Sequence, residues 1–167
     1  MAEEKDSLFR APERSMLEQM LDVQRGDIAA LLDGVSDAQA RRRLVPSLTT
    51  LLALVQHAAF VERVWFHHRV AGVPREELGL PDTVDESFRT SPSTTIGAVL
   101  EDYRLACEHS RRVAVEHDLD EEFPWHDDHV SLRFIHVHMI QELARHAGHA
   151  DILREQLLAM DEDAGRA

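Results

Sequence analysis

Leu132-Arg-Phe-Ile-His136-Val-His138-Met-Ile-Gln-Glu142-Leu-Ala-Arg-His146-Ala-Gly-His149-Ala-Asp-Ile-Leu153 is the stretch on which the fold turns. Its apolar residues Leu132, Ile135, Met139, Leu143, Ala150 and Leu153 recur at three, four and seven, which is the period of an amphipathic helix. On such a helix His138, Glu142, His146 and His149 fall within an arc of roughly 80° that borders this apolar stripe. Arg133, Asp151 and Glu155 take the opposite side. Glu142 is therefore expected to look inward, where a lone carboxylate is costly unless it is paired, protonated or bound to a cation.

Working outward, three more long helices are expected. The first spans about Glu13 to Leu32 after Pro12, and the second starts near Ser47 or Thr49 and runs to about Val70. The third covers about Thr95 to His117, and the quoted helix begins after Ser131 and runs to about Met160. Ser36-Asp37-Ala38-Gln39 has the form of a capping box and opens a short helix. No convincing period-two strand is present. Residues 71–93, punctuated by Gly72, Pro74, Gly79, Pro81 and Pro92, read as a long crossover connection, and 118–130 as an acidic loop. The pattern is that of an all-α, four-helix bundle with one long crossover. It divides into an N-terminal extension (1–12), a single domain (13–160) and a C-terminal tail (161–167).

Composition narrows the function. The chain has 167 residues and a formal net charge of −13, a surface that repels phosphate, so neither nucleic acid nor an anionic membrane is an expected partner. No apolar run approaches the roughly 20 residues needed to span a bilayer. The start, Met-Ala-Glu-Glu-Lys-Asp, lacks the basic and apolar regions of a secretory signal, and Cys107 is the single cysteine. A cytoplasmic location is expected. Histidine is the oddity, with 11 copies.

Glu142 and His146, four apart, project from one helix face and can meet at a single ion, whereas His136 and His138, two apart, point to different sides. On the second helix His57 shares a face with Thr50, Leu54, Val61, Val64 and His68, which makes it the best third ligand. Two imidazoles and a carboxylate with open positions suit zinc, and also admit nickel, iron or manganese. His138 and His149 are candidates for an alternative ligand or for support of the ligands. Other readings stay open. A histidine on an apolar face is commonly a core residue bonded to backbone, and inward polar groups can simply bond one another without any ion. Arg41-Arg42-Arg43 reads as a solvated patch or an anion contact, Cys107 as a small core residue, and His126-Asp127-Asp128-His129 as a weak loop cation site. H-E-x-x-H, G-x-S-x-G and a Gly-rich phosphate loop are all missing.

The run from Val130 to Leu157 closely resembles the last helix of DinB-like proteins, and in particular their actinobacterial mini-circle or mycothiol-transferase-like branch. Arg41-Arg-Arg-Leu-Val-Pro-Ser47, Leu54-Val-Gln-His57 and Val61-Glu-Arg-Val-Trp-Phe66 resemble the same branch. The likeness covers about Glu13 to Leu158. It implies a bundle with one divalent metal in its core, held at positions matching His57, Glu142 and His146. The Glu-x-x-x-His form is similar to the zinc site of mycothiol-dependent maleylpyruvate isomerases. It further implies a homodimer and a metal-dependent transfer of a small thiol, such as mycothiol, onto an electrophile. In such a transfer zinc would present the thiolate, and a hydroxide or the His149 imidazole is the candidate proton acceptor. Residues 71–93 and 118–130 would then supply the electrophile pocket, with Trp125 as a wall. The rival reading is a non-catalytic metal-binding bundle with a stress-response or binding role.

Overall fold

Proline and glycine cut the chain where its helices end. The computed structural model describes residues 8–164, with side chains described through residue 160. After a single 3-10 turn at Leu8–Arg10, α1 (Glu13–Ala30) follows Pro12 and buries Leu17, Leu21, Arg25 and Ile28, one every three or four residues. The short α2 (Asp37–Ala40) carries the complete capping box, with the Ser36 side chain accepting from Gln39 N and Gln39 accepting from Ser36 N. Thr50 caps α3 (Leu51–Glu62), and Thr95 caps α4 (Ile96–Val115). Last comes α5 (Leu132–Ala164), whose Phe134 N donates to Ser131 Oγ. The fold is an all-α bundle, as expected.

The second long helix departs from the expected pattern in two ways. Its first turn begins at Leu51, with Thr50 rather than Ser47 or Thr49 as the cap. Past Glu62 it widens into a π-helical stretch, Arg63–Val70, whose closing bond runs from Ala71 N to Phe66 O at 2.9 Å. Trp65, Phe66 and His67 are all buried, and three consecutive bulky side chains do not share one face of an α-helix. The wider turn draws them into a smaller arc. Gly72, at φ +72°, ends the element in the left-handed conformation that glycine adopts without a steric penalty.

Helix α3 is the centre of the bundle, since every residue from Leu51 to Glu62 except Gln56 is buried. A helix that is apolar all round belongs inside. Its few polar groups meet partners there. Glu62, fully buried, takes two hydrogen bonds from Arg25, Nε to Oε1 at 2.8 Å and Nη2 to Oε2 at 2.7 Å. Arg25 Nη1 also reaches Asp22 at 2.9 Å, and its guanidinium lies 5.7 Å over the Phe66 ring. Burial works against the Arg25 charge, but the facing carboxylate holds it above its ordinary value.

The expectations of an irregular loop over 118–130, and of no strand, are corrected. Residues Glu122–Trp125 (β1) and Asp128–Ser131 (β2) form a two-stranded antiparallel hairpin, with Phe123 opposite Val130 and both buried. The signal was faint. Each strand has four residues, Pro124 sits inside one, and the turn is His126-Asp127 rather than a glycine pair, with His126 at φ +54°. The hairpin is fastened to the start of α5 by Leu132 N to Glu121 O and Arg133 N to Leu119 O. The crossover is not wholly irregular either, for Asp85–Phe88 form a 3-10 turn. Helix α5 runs past its expected end near Met160 to Ala164, since no glycine or proline intervenes before Gly165. Residues 1–7 of the expected extension and 165–167 of the tail lie outside the described residues. Among the described residues no helix is long and apolar enough to cross a membrane.

Two measurements test this packing. Glu62→Ala leaves Arg25 buried beside only Asp22, and is expected to cost about 3–5 kcal/mol in urea denaturation, most of it recovered in an Arg25→Met/Glu62→Leu double variant. His67 is buried, donates from Nε2 to Ala106 O at 3.1 Å, and is lowered by burial to about 4. The folded protein therefore takes up that proton later than the unfolded chain does. Its contribution is whole above about pH 6.5 and is lost as pH falls toward 4. His67→Gln should flatten the fall in stability across that window.

Candidate metal centre

His57 lies on α3, Glu142 and His146 one turn apart on α5, and the structure brings them together. One ligand atom from each, and the three atoms lie within 4.8 Å of one another. His146 Nε2 is 3.0 Å from Glu142 Oε1, and His57 Nε2 is 3.5 Å from the same oxygen. The shorter distance is a hydrogen bond and the longer is at its limit, so His146 is the closer partner. The two imidazoles meet edge to face at 4.8 Å between centroids. The nearby imidazoles, His146 first and then His57, hold the Glu142 carboxyl well below the ordinary carboxylate range, against its partial burial. Arg145 Nη1, 3.5 Å from Glu142 Oε2, adds a weaker contact on the outer side.

The crossover fixes the tautomer of His57. Ser87 Oγ donates its own hydrogen to Val84 O at 2.5 Å, so at 2.7 Å from His57 Nδ1 it acts as an acceptor. Nδ1 then carries the imidazole proton, and the Nε2 lone pair faces Glu142 and His146. Burial depresses the His57 pKa, which keeps that lone pair free. Phe88 stacks on the same ring at 4.1 Å, while Gln56 Nε2 donates to Ser87 O and Arg89 O, clamping the 3-10 turn onto α3. Sequence reasoning missed Ser87 and Phe88. The available signal was Thr83-x-x-Glu86, a capping box in a stretch otherwise read as connection, whose reciprocal bonds are Thr83 N to Glu86 Oε2 and Glu86 N to Thr83 Oγ1.

This donor set fits a divalent ion. It presents an ionised carboxylate, a lone pair locked in place by a neighbouring hydroxyl, and a second imidazole whose Nδ1 is buried with no hydrogen-bond partner. Without an ion, a proton on His146 Nε2 answers the carboxylate; a divalent cation would take that proton's place and accept lone pairs from all three groups. Mixed nitrogen and oxygen ligands suit zinc and its divalent neighbours.

The remaining candidates are placed as follows. His138 makes no ligand trio; its ring lies 4.5 Å from Trp65 and stacks on Phe134 at 5.8 Å. His149 is exposed, edge-on to His146 with centroids 5.9 Å apart. His136 points the other way, bonded through Nδ1 to Leu132 O. Cys107 is buried, and burial followed by the Glu62 charge pushes its thiol up to about 12, which makes it a core residue rather than a nucleophile. Arg41 and Arg43 donate to backbone carbonyls of Ser91, Pro46 and Ser47. His126-Asp127-Asp128-His129 caps the hairpin and forms no comparable trio among the described residues.

Two cavities, each about 310 Å³, lie along α5, and one of them is lined by members of the trio. One reaches His57, Glu142 and His138, with Phe60, Val61, Val64 and Trp65 as walls and Arg75, Asp82 and Val84 from the crossover at its rim. Trp125 does not line it, but stands behind Trp65 at 6.2 Å. The other, toward the C-terminal half of α5, is lined by His149, Leu153 and Gln156 together with Val45, Ser47 and Thr49.

A model of the mycothiol-S-transferase family matches residues 16–159. The chain belongs to that family. This agrees with the DinB-like resemblance of the sequence, and the fold has solved counterparts. A conserved protein from Enterococcus faecalis superposes with a TM-score of 0.69 at 14% identity, over 87% of this chain and 96% of that one. At that identity the likeness concerns the fold alone. Comparison with curated proteins returns no match.

Removing the Ser87 hydroxyl tests how far the crossover governs the centre. Ser87→Ala frees the His57 tautomer and is expected to weaken divalent-ion affinity about 10–100-fold, with helix content unchanged. His57→Ala or His146→Ala should abolish stoichiometric metal, measured by elemental analysis after dialysis.

Proposed function

We propose that the protein is a metal-dependent S-transferase that joins a low-molecular-weight thiol, mycothiol or a close analogue, to an electrophile. The observation that carries this reading is the His57, Glu142, His146 cluster bordering an apolar cavity through His57 and Glu142, in a chain of the mycothiol-S-transferase family. A two-substrate reaction needs room for a second molecule, and a further cavity begins at His149, whose ring lies 5.9 Å from that of His146.

The residues divide the work. His57, Glu142 and His146 would hold a divalent ion, most simply zinc. A free thiol titrates near pH 8.5 and is mostly protonated at neutrality, and a divalent cation supplies the charge that favours its thiolate. Ser87 keeps the His57 lone pair aimed at the centre, and the Phe60, Val61 and Trp65 walls exclude water from the reacting atoms. The uncharged polar side chains Ser47, Thr49 and Gln156 suit a hydroxyl-rich thiol. His149, exposed beside His146, is the group proposed to pass the thiol proton to solvent.

Metal-loaded protein incubated with mycothiol and a haloaromatic or epoxide should consume thiol faster than the Glu142→Ala variant, which should fall to the uncatalysed rate. Equal rates would identify a non-catalytic metal-binding bundle.

A further inference from the structure

The cavity on the His138 side carries a feature that thiol transfer alone does not explain. Most of its walls are apolar and aromatic, yet one guanidinium stands at its rim and a second lies against one of its walls. Arg75 lines the rim, and Arg69 Cζ lies 4.7 Å over the Trp65 ring that forms a wall. Neither pairs with a carboxylate within 4 Å among the described residues. Arg69 Nη1 donates to Pro124 O at 2.9 Å and Arg75 Nη2 to Pro81 O at 2.6 Å, both uncharged acceptors. Arg69 Nε is buried with no hydrogen-bond partner at all. Burial and the nearby Arg75 charge both depress the Arg69 pKa. Asp82 also lines the rim, but it is exposed and makes no ion pair with either arginine.

Glu142 also lines the cavity but is engaged by His146 and His57; that leaves the Arg75 charge at the rim and the neighbouring Arg69 with an orphaned buried donor, an arrangement that an anion relieves. In a chain of net charge −13 such a cationic edge is also out of keeping with the surface as a whole. Aromatic rings at Trp65 and His138 favour a flat apolar body between the edge and the centre.

We infer that this cavity takes an electrophile with an aromatic or flat apolar body and a carboxylate, the carboxylate held by Arg75 with Arg69 in support. This rests on the transferase reading for the word electrophile, but not for the anion. An aryl keto acid with a conjugated double bond meets the description. Addition of a thiol to it forms one C–S bond at the β carbon. The π electron pair shifts to the α carbon, which takes up the proton the thiol gave up, so nothing leaves and nothing is oxidised.

The test uses binding of an unreactive analogue. Isothermal calorimetry of metal-loaded protein with 3-benzoylpropionate and with its methyl ester should show the acid binding at least about tenfold tighter, the scale of one charge-assisted hydrogen bond. In Arg75→Gln the acid should fall to the affinity of the ester. Arg69→Gln, read the same way, should reduce the preference for the acid and serves if the first variant melts early. Equal binding of acid and ester by the wild type overturns the inference. So does an acid preference that survives in both variants, which would place the carboxylate on the metal instead. Thiol consumption is scored separately. Failure of turnover with Arg75-dependent acid binding intact removes the transferase and leaves the anion pocket, whereas turnover without acid preference does the reverse.

Discussion

Helix α3 is enclosed on nearly every side, so each polar group it carries has to be answered inside the protein. That constraint organises the rest of the molecule. Glu62 is met by Arg25 from α1, and the pair costs less than either charge alone because both carboxylate oxygens are bonded. His57 is met by Ser87 from the crossover on one edge and faces α5 on the other. His67, carried on the π-helical continuation, is met by the Ala106 carbonyl of α4. Three polar side chains thus draw three different segments onto one helix. Apolar packing supplies the bulk of the cohesion, but these contacts fix rotation and register.

The four long helices were legible because their apolar spacing is strong and their ends are marked by Pro12, Thr95, Ser131 and Gly72. The inward stripe on α5 was legible for the same reason, since an angular count places Glu142 and His146 beside the core without any tertiary knowledge. What could not be read is what depends on pairing between distant segments. The hairpin at 122–131 is two short strands with a proline and no glycine turn, and its only clear sign is Phe123 facing Val130 once the register is known. The π-helical stretch answers crowding at Trp65, Phe66 and His67, and crowding is a property of the packed state. Ser87 is one serine among several in the crossover until it meets His57.

His149 illustrates a different limit. An angular count puts it near Glu142, yet it is exposed while Glu142 and His146 are partly covered. The stripe marks direction from the helix axis, not depth, and α5 runs past the edge of the layer that the crossover and α3 provide. Toward its C-terminal half the same face opens onto a cavity instead of a wall.

The crossover has a double character. Ser87 and Phe88 fasten it to the buried imidazole, whereas the side chains of Arg75 and Asp82, earlier in the same segment, border the cavity without a bond to the trio. Mutations that change what the cavity admits are therefore decoupled from those that would dismantle the centre. Side-chain changes at the rim can thus alter what enters while the helical scaffold and the imidazole it fixes stay as they are.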